Sequence, residues 1–148
     1  MYNKNIERII NTLFLSSNLE KITIKKEVID VKQLFEKIKK DYELLNIKNK
    51  MIIKVNNEVN IFVDKNLISE ALRGLIDNCI KYSVGNIELL AREDEIVKII
   101  VRNYGERIPE EEKKNLFNRN FQGKNAKKGS GLGLPIIKDI ILLNDGKI

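Results

Sequence analysis

The 148-residue chain has no histidine and no tryptophan, and only one cysteine and two prolines. Without an imidazole there is no histidine triad, no histidine metal centre and no histidine phosphoacceptor within the chain. The lone Cys79 permits neither an intrachain disulfide nor a cysteine metal cluster, and it fits a reducing, cytoplasmic setting. No apolar run approaches the roughly 20 residues of a membrane span, and the opening MYNKNIERII lacks the layout of a signal peptide. Direct membrane insertion of this chain is therefore not expected. Aromatics make up only 6% and lysines are spread over the whole length, so the net charge of +6 does not form the basic, aromatic-laced patch of a nucleic-acid binder.

What is present is the composition of a folding domain, 43% hydrophobic and 32% charged. Residues 5–20 carry Ile6, Ile9, Ile10, Leu13, Phe14 and Leu19 at helical spacing. A polar stretch over 19–30 leads to Asp30, the expected N-cap of a second helix bearing Leu34, Phe35, Ile38, Tyr42, Leu44 and Leu45. The break near 20–29 divides a segment 1–24 from a main domain 25–148.

From residue 51 the pattern becomes strand-like. MIIKV and IFV are β-rich runs, Asp64 caps a helix over about 66–83, and NIELLARE with EIVKIIVRN reads as an antiparallel pair around a turn at 93–95. Pro109 opens a short helix ending near Phe117, with three glutamates where the helix dipole favours them. A last helix follows GSGLGL and ends near Asn144. This order predicts an α+β fold, helices layered on one face of a mixed, mostly antiparallel sheet.

Three stretches offer chemistry. On the 66–83 helix, Ile68, Leu72, Leu75, Ile76, Cys79 and Ile80 gather on a core side, and Glu70, Gly74, Asp77, Asn78 and Lys81 on the other, with Tyr82 at its margin. Asn78 offers a neutral oxygen to a hard cation, Lys81 a point charge to phosphate, and Gly74 room for a ligand; a plain solvated helix face accounts for the same pattern. In VRNYGERIP, Asn103 presents an amide to a planar heterocycle and Gly105 permits close approach to the backbone, or the segment is only a polar turn. GSGLGL, residues 129–134, exposes backbone N–H groups before a helix, with Lys124, Lys127 and Lys128 upstream. Its GxGxG spacing, with no strand before it and no Lys-Ser/Thr after it, excludes a dinucleotide-binding fingerprint and a P-loop. Leu132 between the glycines and Leu134 after them suggest a loop that packs back onto the fold.

Together and in this order, the stretches resemble the ATP-binding domain of sensor histidine kinases, within the superfamily that also holds gyrase, a heat-shock chaperone and MutL. ALRGLIDNCIKYS resembles the N box, NYGERI the first glycine box, LFNRNF the phenylalanine box and GSGLGLPIIKDI the second glycine box. The resemblance implies a Bergerat-type two-layer sandwich binding ATP and Mg²⁺, with Asn78 as metal ligand. ATP contacts would come from Asn78, Lys81, Tyr82, Asn103, Gly105, Ile108, Arg119, Lys124, Gly129, Gly131, Leu132, Gly133 and Leu134, under a lid at roughly 122–128. It implies phosphoryl transfer to a histidine on a dimerisation helix supplied by another chain, then to the receiver domain of a response regulator, in a parent that membrane anchoring would also suit. Residues 1–24 would be the distal part of the second dimerisation helix, and a final β-hairpin would follow Ile148.

This sequence departs from the family pattern at several positions. Asn103 stands where an aspartate is most familiar, Gly74 replaces an asparagine, Arg107 a glycine, Asn120 an aromatic, and Asn144-Asp145 a His-Gly pair. Two alternatives stand beside the kinase domain: a non-catalytic module that pairs with a kinase through residues 5–20, and an anti-sigma-factor-type serine kinase in which Asp77 acts as base.

Overall fold

The computed structural model describes residues 23–118 and 133–148. The elements run β1 (Lys26–Asp30), α1 (Val31–Glu43), β2 (Met51–Lys54), β3 (Asn60–Asp64), α2 (Lys65–Tyr82), β4 (Ile87–Glu93), β5 (Val97–Asn103), α3 (Glu110–Lys113) and α4 (Gly133–Leu143). β2, β4 and β5 form one sheet in the order β2-β4-β5, parallel between β2 and β4 and antiparallel between β4 and β5, while β1 and β3 form an antiparallel pair. The mixed, mostly antiparallel α+β architecture is the one the sequence predicts.

Side-chain alternation fixes which face of the main sheet is buried. Ile87, Leu89 and Ala91 on β4 are buried, and their cross-strand partners Asn103, Val101 and Ile99 on β5 share that face. Against it lie α1 with Leu34, Phe35 and Ile38, α2 with Ile68, Leu72 and Ile76, and α4 with Ile136, Ile137 and Ile140. Leu75 and Ile80 are only partly buried at the margin of this core.

Helix starts follow the sequence signals. Asp30 accepts from Gln33 N at 3.0 Å and Asp64 from Leu67 N at 3.1 Å, each satisfying an N–H that the first helical turn leaves unpaired. Asp64 also accepts from Lys25 N at 2.9 Å, and its own N–H donates to Asn144 Oδ1 at 2.7 Å. One buried residue thus ties the entry to β1, the start of α2 and the end of α4.

Two readings are corrected. The stretch read as polar contains β1, which pairs in register from Lys26 opposite Asp64 to Asp30 opposite Asn60. Only Ile29 of the strand is buried, so its apolar signal is a single residue deep. α1 ends at Glu43, leaving Leu44 and Leu45 72% and 48% exposed beyond it. The helix predicted over 5–20, the lid that the resemblance implies and most of GSGLGL lie outside the described residues.

Candidate functional site

α2 presents two working sides. Toward α1, the Tyr42 hydroxyl donates to Asp77 Oδ1 at 2.6 Å and Arg73 pairs with Asp41 at 2.7 Å. Toward α4, a Cβ added to Gly74 would sit 2.8 Å from Ile137 Cδ1. The space at Gly74 is therefore filled by Ile137, which corrects the reading of Gly74 as room for a ligand. Asp77 and Gly74 leave the ligand-facing set together.

The close contact at Gly74 also sets a register. Asn144, just past α4, binds Asp64 N, just before α2, so the two helices run antiparallel and cross where Ile137 meets Gly74. Asn78 lies four residues after Gly74, and Gly133 four residues before Ile137. At 1.5 Å per residue each is displaced about 6 Å in the same direction, which brings Asn78 level with the opening turn of α4. Asn78 is partly buried, and its side-chain amide has no hydrogen-bond partner among the described residues. Gly133 has open space where a side chain would project, whereas Leu134 packs against the core.

The end of α2 meets the turn after β5 in the same way. A Cβ at Gly105 would lie 2.7 Å from the Tyr82 carbonyl oxygen and 3.2 Å from Asn103 Nδ2, so only glycine allows this approach. Asn103 is partly buried on the helix-facing side, opposite Ile87. Lys81 sits with its ammonium 5.8 Å from the Tyr82 ring centroid, within cation–π range. Ile108 is exposed farther along the same turn. Tyr82, Asn103 and Gly105 thus meet at the end of α2 with Lys81 beside them, and Asn78 lies one turn earlier, level with Gly133, while Arg119, Lys124, Gly129, Gly131 and Leu132 lie outside the described residues.

Two supports had no motif to announce them. Buried Asn49 donates both amide hydrogens, to Ser83 O at 2.9 Å and Gly85 O at 2.8 Å, fixing the segment that leaves α2. On the opposite face of the sheet, Glu88 accepts from Lys54 Nζ at 2.8 Å, Arg102 at 3.2 Å and the Tyr104 hydroxyl at 3.2 Å. The Lys54 hydrogen bond foremost, aided by Tyr104 and Arg102 and opposed by desolvation, holds the Glu88 carboxyl below the usual range. A charge inside the apolar run IELL, facing cations on both neighbouring strands, was its only sequence signal. A cleft of about 270 Å³ lies between the end of α1 and Met51, lined by Lys39, Glu43, Asn46, Asn49 and Lys50 among others, and by none of the nucleotide-site residues that the sequence predicts.

Residues 63–148 match the family model for histidine kinase-, DNA gyrase B- and HSP90-like ATPases. The chain is 26% identical over 149 residues to sensor histidine kinase YxdK of Bacillus subtilis, covering 93% of this chain and 46% of YxdK. It is 30% identical over 139 residues to sensor protein VanSC of Enterococcus gallinarum, covering 88% of this chain and 38% of that protein. It thus spans less than half the length of these two relatives. Among solved structures, Acinetobacter baumannii histidine kinase AdeS is similar with a TM-score of 0.68 and 26% identity, over 93% of this chain and 64% of that one. Full-length ShkA in complex with AMPPNP aligns with a TM-score of 0.77 at 18% identity, over 93% of this chain and 31% of ShkA. A match over more than half the chain makes this protein a member of the histidine kinase-, gyrase B- and HSP90-like ATPase family.

Proposed function

We propose that this chain is the ATP-binding catalytic domain of a two-component sensor histidine kinase, donating the γ-phosphoryl group of Mg-ATP to a histidine carried elsewhere. The observation that supports this most is the register of α2 against α4, which brings Asn78 level with the first turn of the glycine-box helix. An anion there meets backbone N–H groups and the positive end of a helix dipole. ShkA, similar in fold, was crystallised with the ATP analogue AMPPNP.

In this reading the base lies at the other end, where Gly105 closes on Tyr82 O and Asn103 faces the helices. The Asn103 amide oxygen accepts from the adenine amino group without adding charge, and Tyr82 flanks the ring. Lys81 neutralises phosphate charge, helped by Arg119 and Lys124, and the Gly129, Gly131 and Gly133 backbone cradles the phosphates between Leu132 and Leu134.

No group of three histidine, cysteine, aspartate or glutamate side chains that could hold a metal occurs among the described residues. One neutral amide oxygen fits Mg²⁺, which keeps several waters and takes phosphate oxygens as ligands. With ATP bound, the ion neutralises phosphate charge, while the chain's own residues position the nucleotide. Partners in this reading are a histidine-bearing dimerisation helix and, downstream, a response regulator. The serine-kinase alternative draws no support from Asp77, whose carboxylate is turned to the Tyr42 hydroxyl.

Amide spectra of the isotope-labelled chain, recorded with ATP and Mg²⁺, test the assignment. Perturbations should centre on Asn78, Lys81, Asn103, Gly105 and Gly133. Saturable perturbations confined to the cleft by Lys39 and Met51 would contradict it.

A further inference from the structure

Glu88 is buried to 6% exposure, yet it lies on the outer face of the sheet, away from the helices. Three donors converge on it from three segments: Lys54 at the end of β2, Arg102 on β5, and Tyr104 in the turn that leads into Gly105. Arg102 stands directly opposite Glu88 in the ladder, and Lys54 stands two residues beyond Ile52, the parallel partner of Glu88, and so on the same face. The two cations therefore tie strand to strand. Tyr104 alone ties Glu88 to the turn.

Because side chains alternate across a strand, Arg102 and Tyr104 point outward and Asn103 between them points inward. A one-residue slip would exchange the faces. The inward side of the same turn is limited by the contact of Gly105 with Tyr82 O. Asn103 is thus held between an outer hydrogen bond and an inner close approach.

We propose that Glu88 is a positioning residue for the base end of the nucleotide, acting through the Tyr104 hydroxyl to hold Asn103 turned inward. The proposal rests on the nucleotide reading of the site given above. It assigns the outer face of the sheet a part in affinity that its distance from the phosphates would not suggest.

The test is titration of the full 148-residue chain and its variants with a fluorescent ATP analogue in Mg²⁺, alongside thermal midpoints. Tyr104→Phe and Glu88→Ala should each weaken binding about three- to tenfold, the worth of one hydrogen bond, and the double variant no more than Glu88→Ala alone. Glu88→Gln keeps a carbonyl oxygen for Tyr104 but loses its ion pairs, so it should lower the thermal midpoint while staying within about twofold of wild-type affinity. Lys54→Met should also leave affinity unchanged. Wild-type affinity in Tyr104→Phe, or affinity that follows the thermal midpoint through Glu88→Gln and Lys54→Met, overturns the proposal. If the wild type fails to bind, or Asn78→Ala binds equally well, the nucleotide reading itself fails and this proposal falls with it. If Asn78→Ala weakens binding and Tyr104→Phe does not, the nucleotide reading stands and only the role of Glu88 is overturned.

Discussion

Gly74 and Ile137 occupy one another's space: the Ile137 Cδ1 lies 2.8 Å from where a Gly74 side chain would begin. This contact, deep in the α2–α4 crossing, sets the level at which the last helix opens beside Asn78. Gly74→Val should cost about 1–3 kcal/mol through overpacking. Ile137→Ala alone should cost about 2–5 kcal/mol through the cavity it leaves. The double variant should fall short of the sum, because the added methyls enter the vacated space, and a denaturant-melt cycle measures that coupling. Strict additivity would mean that the two residues do not meet.

Asn144 is buried, and its side-chain amide accepts from Asp64 N through its oxygen and donates to Ile140 O at 2.8 Å through its nitrogen. Asn144→Ala orphans a buried backbone N–H at the start of α2, which costs about 1–3 kcal/mol. Hydrogen exchange at the Asp64 amide should quicken by more than at the Leu89 amide in mid-sheet. Equal acceleration at both would indicate global loosening instead.

α4 closes with Gly146 N donating to Ile141 O at 2.9 Å and Asp145 N to Leu142 O at 3.1 Å, a Schellman ending with Asp145 at φ 61. The left-handed conformation strains a side chain, and the ion pair of Asp145 with Lys26 is exposed and offsets little of it. Asp145→Gly should leave stability unchanged or raise it by up to about 1 kcal/mol, read from urea midpoints. A loss of more than that would assign the ion pair a larger share.

Much of this architecture was legible in the sequence, and the exceptions share a cause. Asp30 and Asp64 announce their helices because capping is local chemistry, and β4 and β5 announce themselves by composition across a short turn. β1 escaped because its partner β3 is thirty or more residues away and only Ile29 is buried. Gly74 was misread because spacing along one helix shows where a side chain is missing but not which neighbour fills the gap. Asn78 and Asn103 were named from pattern; the contacts that orient them, at Ile137, Asn49 and Glu88, are all tertiary.

The pH dependence of Glu88 follows from the direction of its shift. A folded-state value below the unfolded value, about 4.3 for a free glutamate, means that the folded state favours the carboxylate. Its contribution to stability is complete above that value and is lost as pH falls through the folded value. Urea midpoints of wild type minus Glu88→Gln should be level above about pH 5 and shrink below about pH 4. A difference that stays constant down to pH 3 would contradict the ion-paired carboxylate.

Cys79 is buried on the core side of α2, and burial pushes its thiol up to about 11. At neutral pH the native chain should therefore react with an alkylating reagent far more slowly than the urea-unfolded chain. Comparable rates would place the thiol at the surface.

In the proposed function, Asn78, level with the opening of α4, holds the metal-bound phosphate end of ATP. Titration of the chain with a fluorescent ATP analogue, with Mg²⁺ and with chelator, addresses it most directly. Wild type should bind more tightly with Mg²⁺, and folded Asn78→Ala should lose about tenfold or more in Mg²⁺ with little change in chelator, since only the metal-dependent contact is removed. Equal affinity of wild type and Asn78→Ala in Mg²⁺ would contradict the account.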